Sequence, residues 1–176
     1  MSSFKTLDDL PADLTGQVAL VRVDLNLPMK DGAATDVTRV EAAKPTILEL
    51  TEKGAKVLLL AHFGRPKGQR NSTMTTSFVQ GDVDAVLGKE IMFIPEVMGP
   101  VVEQSIGILR AGDIGLLENV RFWPGEEAND PDFAKALAGL GDLYVNDAFG
   151  AAHRGHASTE GIAHHVSEAV SGLLME

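Results

Sequence analysis

The chain has 176 residues with 15 Lys and Arg against 25 Asp and Glu, a formal net charge of −10, 44% hydrophobic content and no cysteine. That composition can bury one substantial core and fits a single domain. It excludes a disulfide framework and any thiolate metal site, and its overall field repels nucleic acid and anionic membranes, so any anion-binding function must be local.

Taken in chain order, residues Met1 to Asp9 hold no basic region followed by an apolar run, and no later stretch approaches the roughly 20 apolar residues of a membrane span. The expectation is a cytoplasmic protein. Val18 to Val23 reads as the first strand. Thr38 to Lys53 has helical spacing, with Val40, Ala43, Ile47 and Leu50 on one face and Gly54 as a C-terminal stop; Pro45 is expected to kink or tighten its early part. Lys56 to Ala61 is the second strand, and the polar stretch Lys67 to Thr76 reads as a surface loop. Weaker helices span Thr75 to Leu87 and Pro100 to Leu109, where Gly81 and Gly107 count against regular helix. Ile91 to Ile94 and Ile114 to Leu117 are the third and fourth strands, the latter interrupted by Gly115. Asp130 and Pro131 form a cap and first-turn pair for a helix burying Phe133, Leu137 and Leu140, and Leu143 to Val145 is the fifth strand.

Strands alternating with helices predict right-handed βαβ units. The expected fold is α/β: three αβα layers, a Rossmann-like parallel sheet with helices on both faces, in a single domain.

In such a sheet, ligands bind beyond the carboxyl ends of the strands. The first strand runs into Arg22, Asp24, Asn26 and Pro28; the second into His62, Phe63, Gly64 and Arg65; the fourth into Glu118, Asn119 and Arg121; the fifth into Asn146, Asp147, His153, Arg154 and His156. Arg39 opens the helix after the first strand, so five of seven arginines gather at one rim. Such a cluster suits a small ligand with several negative charges, because Arg offers a fork of donors to carboxylate and phosphate. The alternative is that each Arg pairs structurally with a nearby acid such as Asp24, Glu118 or Asp147. His62, directly after a strand, is a candidate donor to a carboxylate.

Other motifs fail. Gly88 and Lys89 are followed by Glu90, so there is no phosphate loop, and no G-x-G-x-x-G follows the first strand. His153 and His156 lack a third ligand, as do His164 and His165, so no metal site is expected. Phe122 and Trp123 read as packing residues.

At these same positions the sequence resembles the phosphoglycerate kinase family. The segments are VRVDLNLP at 21–28, DVTRVEAAKPTI at 36–47, AHFGRPKG at 61–68, LLENVRFWPGEEAND at 116–130 and YVNDAFGAAHRGHAST at 144–159. The resemblance implies reversible phosphoryl transfer between 1,3-bisphosphoglycerate and ADP, giving 3-phosphoglycerate and ATP in glycolysis. It implies that Asp24, Asn26, Arg39, His62, Arg65, Arg121 and Arg154 form the 3-phosphoglycerate site, with Leu25, Phe63 and Gly64 contributing position or backbone and Arg22 belonging to the same basic patch. Arg39 would lie against the substrate carboxylate as the catalytic charge stabiliser; Arg65, Arg121 and Arg154 would grip the non-transferred phosphate.

It further implies that residues 1–170 are an N-terminal substrate-binding domain and that 171–176 begin the connection to a nucleotide-binding domain absent from this chain. That domain would bind Mg-ATP or Mg-ADP, so no cofactor or metal is expected here, and this chain alone is expected to lack turnover. The expected partners are the small-molecule substrate and the missing domain, with no nucleic acid and no membrane, in a family usually monomeric. A non-catalytic anion-binding or interaction module on the same fold is the alternative.

Overall fold

The computed structural model describes residues 5–148 and 154–173. His153 and the last three residues of the expected connecting segment lie outside them. Among the described residues a six-stranded parallel sheet is built from β1 (Val18–Arg22), β4 (Lys56–Leu60), β5 (Met92–Ile94), β6 (Ile114–Leu117), β7 (Leu143–Asn146) and β8 (Ala169–Ser171), in the order β5-β6-β4-β1-β7-β8. Met29–Lys30 (β2) and Ala33–Ala34 (β3) form a separate antiparallel hairpin.

β1 and β6 are buried along their whole length, and β4 from its second residue onward, as expected for strands covered on both faces. Alternate residues feed two cores. Ala19, Val21, Val57, Leu59, Leu116 and Val145 pack with Val40, Ile47 and Leu50 of α1 (Thr38–Glu52) and Val83 and Leu87 of α2 (Gln80–Leu87). Leu20, Leu58, Leu60, Leu117 and Tyr144 pack on the other face with Val102 of α3 (Pro100–Ile108) and Phe133 and Leu137 of α5 (Pro131–Ala138). The three-layer α/β expectation holds, and the period-two alternation of the strands is its cause.

Local chemistry explains most boundaries. α1 ends where Gly54, at φ 90°, turns the chain left-handed and Ala55 N–H donates to Leu50 O at 3.1 Å. The helix runs on through Pro45 as one element. Asp130 caps α5 by accepting from Asp132 N–H at 3.2 Å, with Pro131 in the first turn. The segment expected as one helix from Thr75 divides into a 3₁₀ turn at Thr76–Val79 and α2 from Gln80. Gly115 does not disturb β6: a Cβ there would meet Leu58 Cδ2 at 3.0 Å and Ile94 Cδ1 at 3.1 Å, so side chains from two neighbouring strands pack closely over it.

β8 and the hairpin are not among the strands expected from sequence. β8 pairs with β7, and just beyond it Leu173 N–H donates to Thr46 Oγ1 at 2.8 Å, which ties residue 173 to helix α1. No helix among the described residues is long and apolar enough to cross a membrane.

Candidate functional site

The sheet order sets β6, β4, β1 and β7 side by side, so the four strand ends that carry the polar motifs are neighbours. Arg22, the last residue of β1, is completely buried. Each of its side-chain nitrogens donates internally: Nε to Ser158 Oγ at 2.8 Å, Nη1 to Val23 O at 2.7 Å, and Nη2 to His62 Nδ1 at 2.8 Å. Arg22, expected as part of the basic patch, thus turns its guanidinium onto protein groups in this structure. With no exposed surface and every nitrogen engaged, it acts from beneath, on His62.

His62 follows β4 and is 8% exposed. Because a guanidinium can only donate, His62 Nδ1 must accept, and the ring proton sits on Nε2. Burial, reinforced by the charges of Arg22, Arg121 and Arg154, lowers its pKa from 6.5 to about 2. His62 is therefore a neutral imidazole with one N–H to offer.

Arg121, in the 3₁₀ turn Val120–Phe122 after β6, is 4% exposed, and among the described residues its buried Nε and Nη2 have no hydrogen-bond partner. Burial depresses its pKa, with Arg154 and Arg22 acting in the same direction against the pull of Glu127 and Glu126. Arg154 is exposed, and Thr159 Oγ1 donates to its carbonyl at 2.6 Å. Arg65 is exposed too; its loop returns to the site through Gly68 N–H, which donates to Arg121 O at 3.0 Å.

A second network lies beyond β1. Asp24 Oδ1 accepts from Asn26 N–H at 3.1 Å, and Asn26 Oδ1 accepts from Gly64 N–H at 3.0 Å, joining the loops after β1 and β4. Arg39 Nη1 donates to Asn26 O and lies 3.5 Å from Asp24 Oδ1, with its side chain half exposed. Leu25 is buried beneath these groups at 1% exposure. Gly64 has φ 68°, and a Cβ there would press on Met74 at 3.1 Å, so the tight turn requires glycine. Phe63 packs edge-on against Phe78 with ring centroids 6.4 Å apart.

Among the described residues, Arg39 is ion-paired with Asp24. Glu118, a candidate partner from sequence, is spent elsewhere: its carboxylate accepts from Thr75 Oγ1 at 2.7 Å, Thr76 N–H at 3.0 Å and Asn119 N–H at 2.8 Å. Asn119 is a hub that sequence reading named without a role. Its Nδ2 donates to Phe63 O at 2.6 Å and Met74 O at 2.9 Å, while its Oδ1 accepts from Arg121 N–H at 3.0 Å. One amide thus sets the spacing between the His62 loop and Arg121. Of the two remaining arginines, Arg70 pairs with Glu96 at 2.6 Å and lies over the Trp123 ring, 5.2 Å from its centroid.

Residues 7–176 match the profile of one protein family, described as phosphoglycerate kinase. The chain belongs to the phosphoglycerate kinase family. It is 60% identical over 176 residues to phosphoglycerate kinase of Sphingopyxis alaskensis, covering 100% of this chain and 44% of that protein. It is 56% identical to that of Rhizobium johnstonii, covering 43% of its length. Among solved structures it resembles phosphoglycerate kinase from Coxiella burnetii, with TM-score 0.86 and 34% identity over 98% of this chain and 42% of that one. The enzyme from Pyrococcus horikoshii gives TM-score 0.85 and 32% identity over 97% and 43%. The chain therefore spans less than half the length of the phosphoglycerate kinases it matches.

Proposed function

We propose that this chain supplies the acid-binding part of phosphoglycerate kinase, holding 3-phosphoglycerate or 1,3-bisphosphoglycerate while a phosphoryl group passes to or from an adenine nucleotide. The observation that carries this reading is Arg121, a nearly buried cation beside other arginines, two of whose nitrogens have no hydrogen-bond partner among the described residues. A desolvated charge of this kind is costly until an anion completes it, and a phosphate presents acceptors in the geometry a guanidinium prefers.

In this reading Arg121, Arg65 and Arg154 hold the non-transferred phosphate. Arg39, half exposed at the opposite network, faces the carboxyl end, where it stabilises charge as the phosphoryl group moves. Asp24 and Asn26 offer acceptors to the acid's hydroxyl. Neutral His62 donates from Nε2 without adding charge to an already cationic site. Phosphoryl transfer needs little covalent help, so alignment and charge stabilisation are the chemistry these residues supply.

The second substrate of the reaction is Mg-ATP or Mg-ADP. The sequence carries neither a phosphate loop nor a G-x-G-x-x-G after its first strand, which supports a nucleotide site elsewhere. We assign it to the portion of the family's length outside this chain, as the nucleotide-binding domain that completes the enzyme, with residues 1–170 as the acid-binding domain. This chain alone then lacks turnover, and the whole enzyme is a cytoplasmic monomer with no nucleic-acid or membrane partner.

Urea unfolding with and without ligand tests the assignment, because a ligand that binds only the folded state raises stability by RT ln(1 + [L]/Kd). The midpoint should rise with 3-phosphoglycerate and stay put with Mg-ATP. A rise with Mg-ATP alone would overturn the assignment.

A further inference from the structure

We infer that Ser158, held by Glu126, is a positioning residue of this site: through Arg22 it fixes His62 in the form that keeps Nδ1 as acceptor and Nε2–H as donor. The inference deepens the proposed acid-binding role of the rim and rests on it for its functional meaning.

Arg22, Ser158 and Glu126 are all completely buried. Glu126, in α4 (Pro124–Glu127), accepts from Ser158 N–H through Oε1 at 2.8 Å and from Ser158 Oγ–H through Oε2 at 2.5 Å. The directions are forced, since a carboxylate can only accept and a guanidinium can only donate. With its one hydroxyl proton committed to Glu126, Ser158 Oγ has only lone pairs to present to Arg22 Nε, 2.8 Å away. Glu126 thus neutralises Arg22 through the serine rather than by direct contact. The consequence is that Nη2 stays available for His62 Nδ1.

The backbone of Ser158 is anchored independently. Tyr144 Oη–H donates to Ser158 O at 2.6 Å, and Ala157 N–H donates to Glu126 O at 2.9 Å. Polar chains of this kind are worth having only when every member is satisfied, and here each direction is consistent from carboxylate to imidazole.

The test is nitrogen-15 NMR of the histidine rings in the ligand-free 176-residue chain, followed by titration with 3-phosphoglycerate. His62 should show a single tautomer protonated at Nε2. In Ser158→Ala, Arg22 loses its Nε acceptor, both tautomers should appear, and affinity should fall roughly tenfold, the scale of one lost buried hydrogen bond to a charged group. Ser158→Thr, which restores the hydroxyl, should recover the single tautomer. Tyr144→Phe removes a buried hydrogen bond from the same serine while sparing the relay, and should leave tautomer and affinity alone. If Ser158→Ala folds poorly, Glu126→Gln reads the same point, because its amide would donate into Oγ, leave the serine proton without its acceptor and remove the carboxylate charge that balances Arg22. An unchanged single tautomer in the folded variants, or an equal change in Tyr144→Phe, would overturn the inference. The tautomer comparison needs no ligand, so failure of the unaltered chain to bind 3-phosphoglycerate would sink the proposed function without deciding this one.

Discussion

Arg22 Nη2 lies 2.8 Å from His62 Nδ1, a buried guanidinium donating to a buried imidazole. The contact makes a protonated His62 incompatible with the folded state, since both partners would then be donors, and burial pushes in the same direction.

A dependence of stability on pH follows. The folded chain keeps His62 neutral down to about pH 2, whereas the unfolded chain protonates it near 6.5. Between those values the unfolded state binds the extra proton, so stability falls as pH is lowered through 6.5, with a slope from this group approaching about 1.4 kcal/mol per pH unit. Urea unfolding of the unaltered chain and His62→Gln at pH 7.5 and pH 5 isolates the term. The difference in stability between the two pH values should be smaller in the variant; equal differences would refute it.

Arg121 sets function against stability. Its Nε and Nη2 lack hydrogen-bond partners among the described residues, so the ligand-free fold carries a desolvation cost there. Arg121→Met keeps most of the buried volume and removes the charge. The variant should bind 3-phosphoglycerate at least tenfold more weakly yet be as stable as the unaltered chain or more stable, by on the order of 1 kcal/mol. A loss of stability alongside the lost binding would show that Arg121 is paired.

Arg39 should behave differently. Half exposed and bonded to Asn26 O, it holds no core. Arg39→Ala should weaken binding with the melting temperature unchanged within about 2 °C, the shift expected from a surface change well under 1 kcal/mol. Circular dichroism melts beside binding titrations would reveal a structural role if the two fell together.

Gly81 and Gly107 counted against α2 and α3, yet both helices form. A Cβ at either position would meet nothing within 4 Å, so alanine should fit. Each Gly→Ala change should stabilise the chain by roughly 0.5–1 kcal/mol by restricting the unfolded state. Destabilisation in urea would mean that these glycines serve a packing role.

The parallel sheet was legible because long apolar runs such as Val18 to Val23 and Lys56 to Ala61 need cover on both faces, and the glycine after Lys53 and the Asp130–Pro131 pair mark helix ends by local chemistry alone. β8 was not legible: three residues, with only Val170 buried, give no periodicity to read. The β2–β3 hairpin is legible from its turn alone. Asp31 and Gly32, at φ 54° and 82°, are the Asp-Gly pair that a two-residue hairpin turn favours. At the site, sequence located the strand ends but could not give depth. Arg22 and Arg121 look like Arg65 on paper, and only packing separates an arginine beneath the floor from one on the rim. Ser158 and Glu126 lie in matched segments, but their meeting depends on chain return across 32 residues.

The most direct measurement of the central claim is calorimetric titration of this chain with 3-phosphoglycerate at low and physiological salt. One saturable site whose affinity falls as salt rises is the predicted result, because a multiply charged ligand among arginines is screened over a Debye length of about 8 Å at physiological ionic strength. No saturable heat, or an affinity indifferent to salt, would contradict the account of the rim as an anion site.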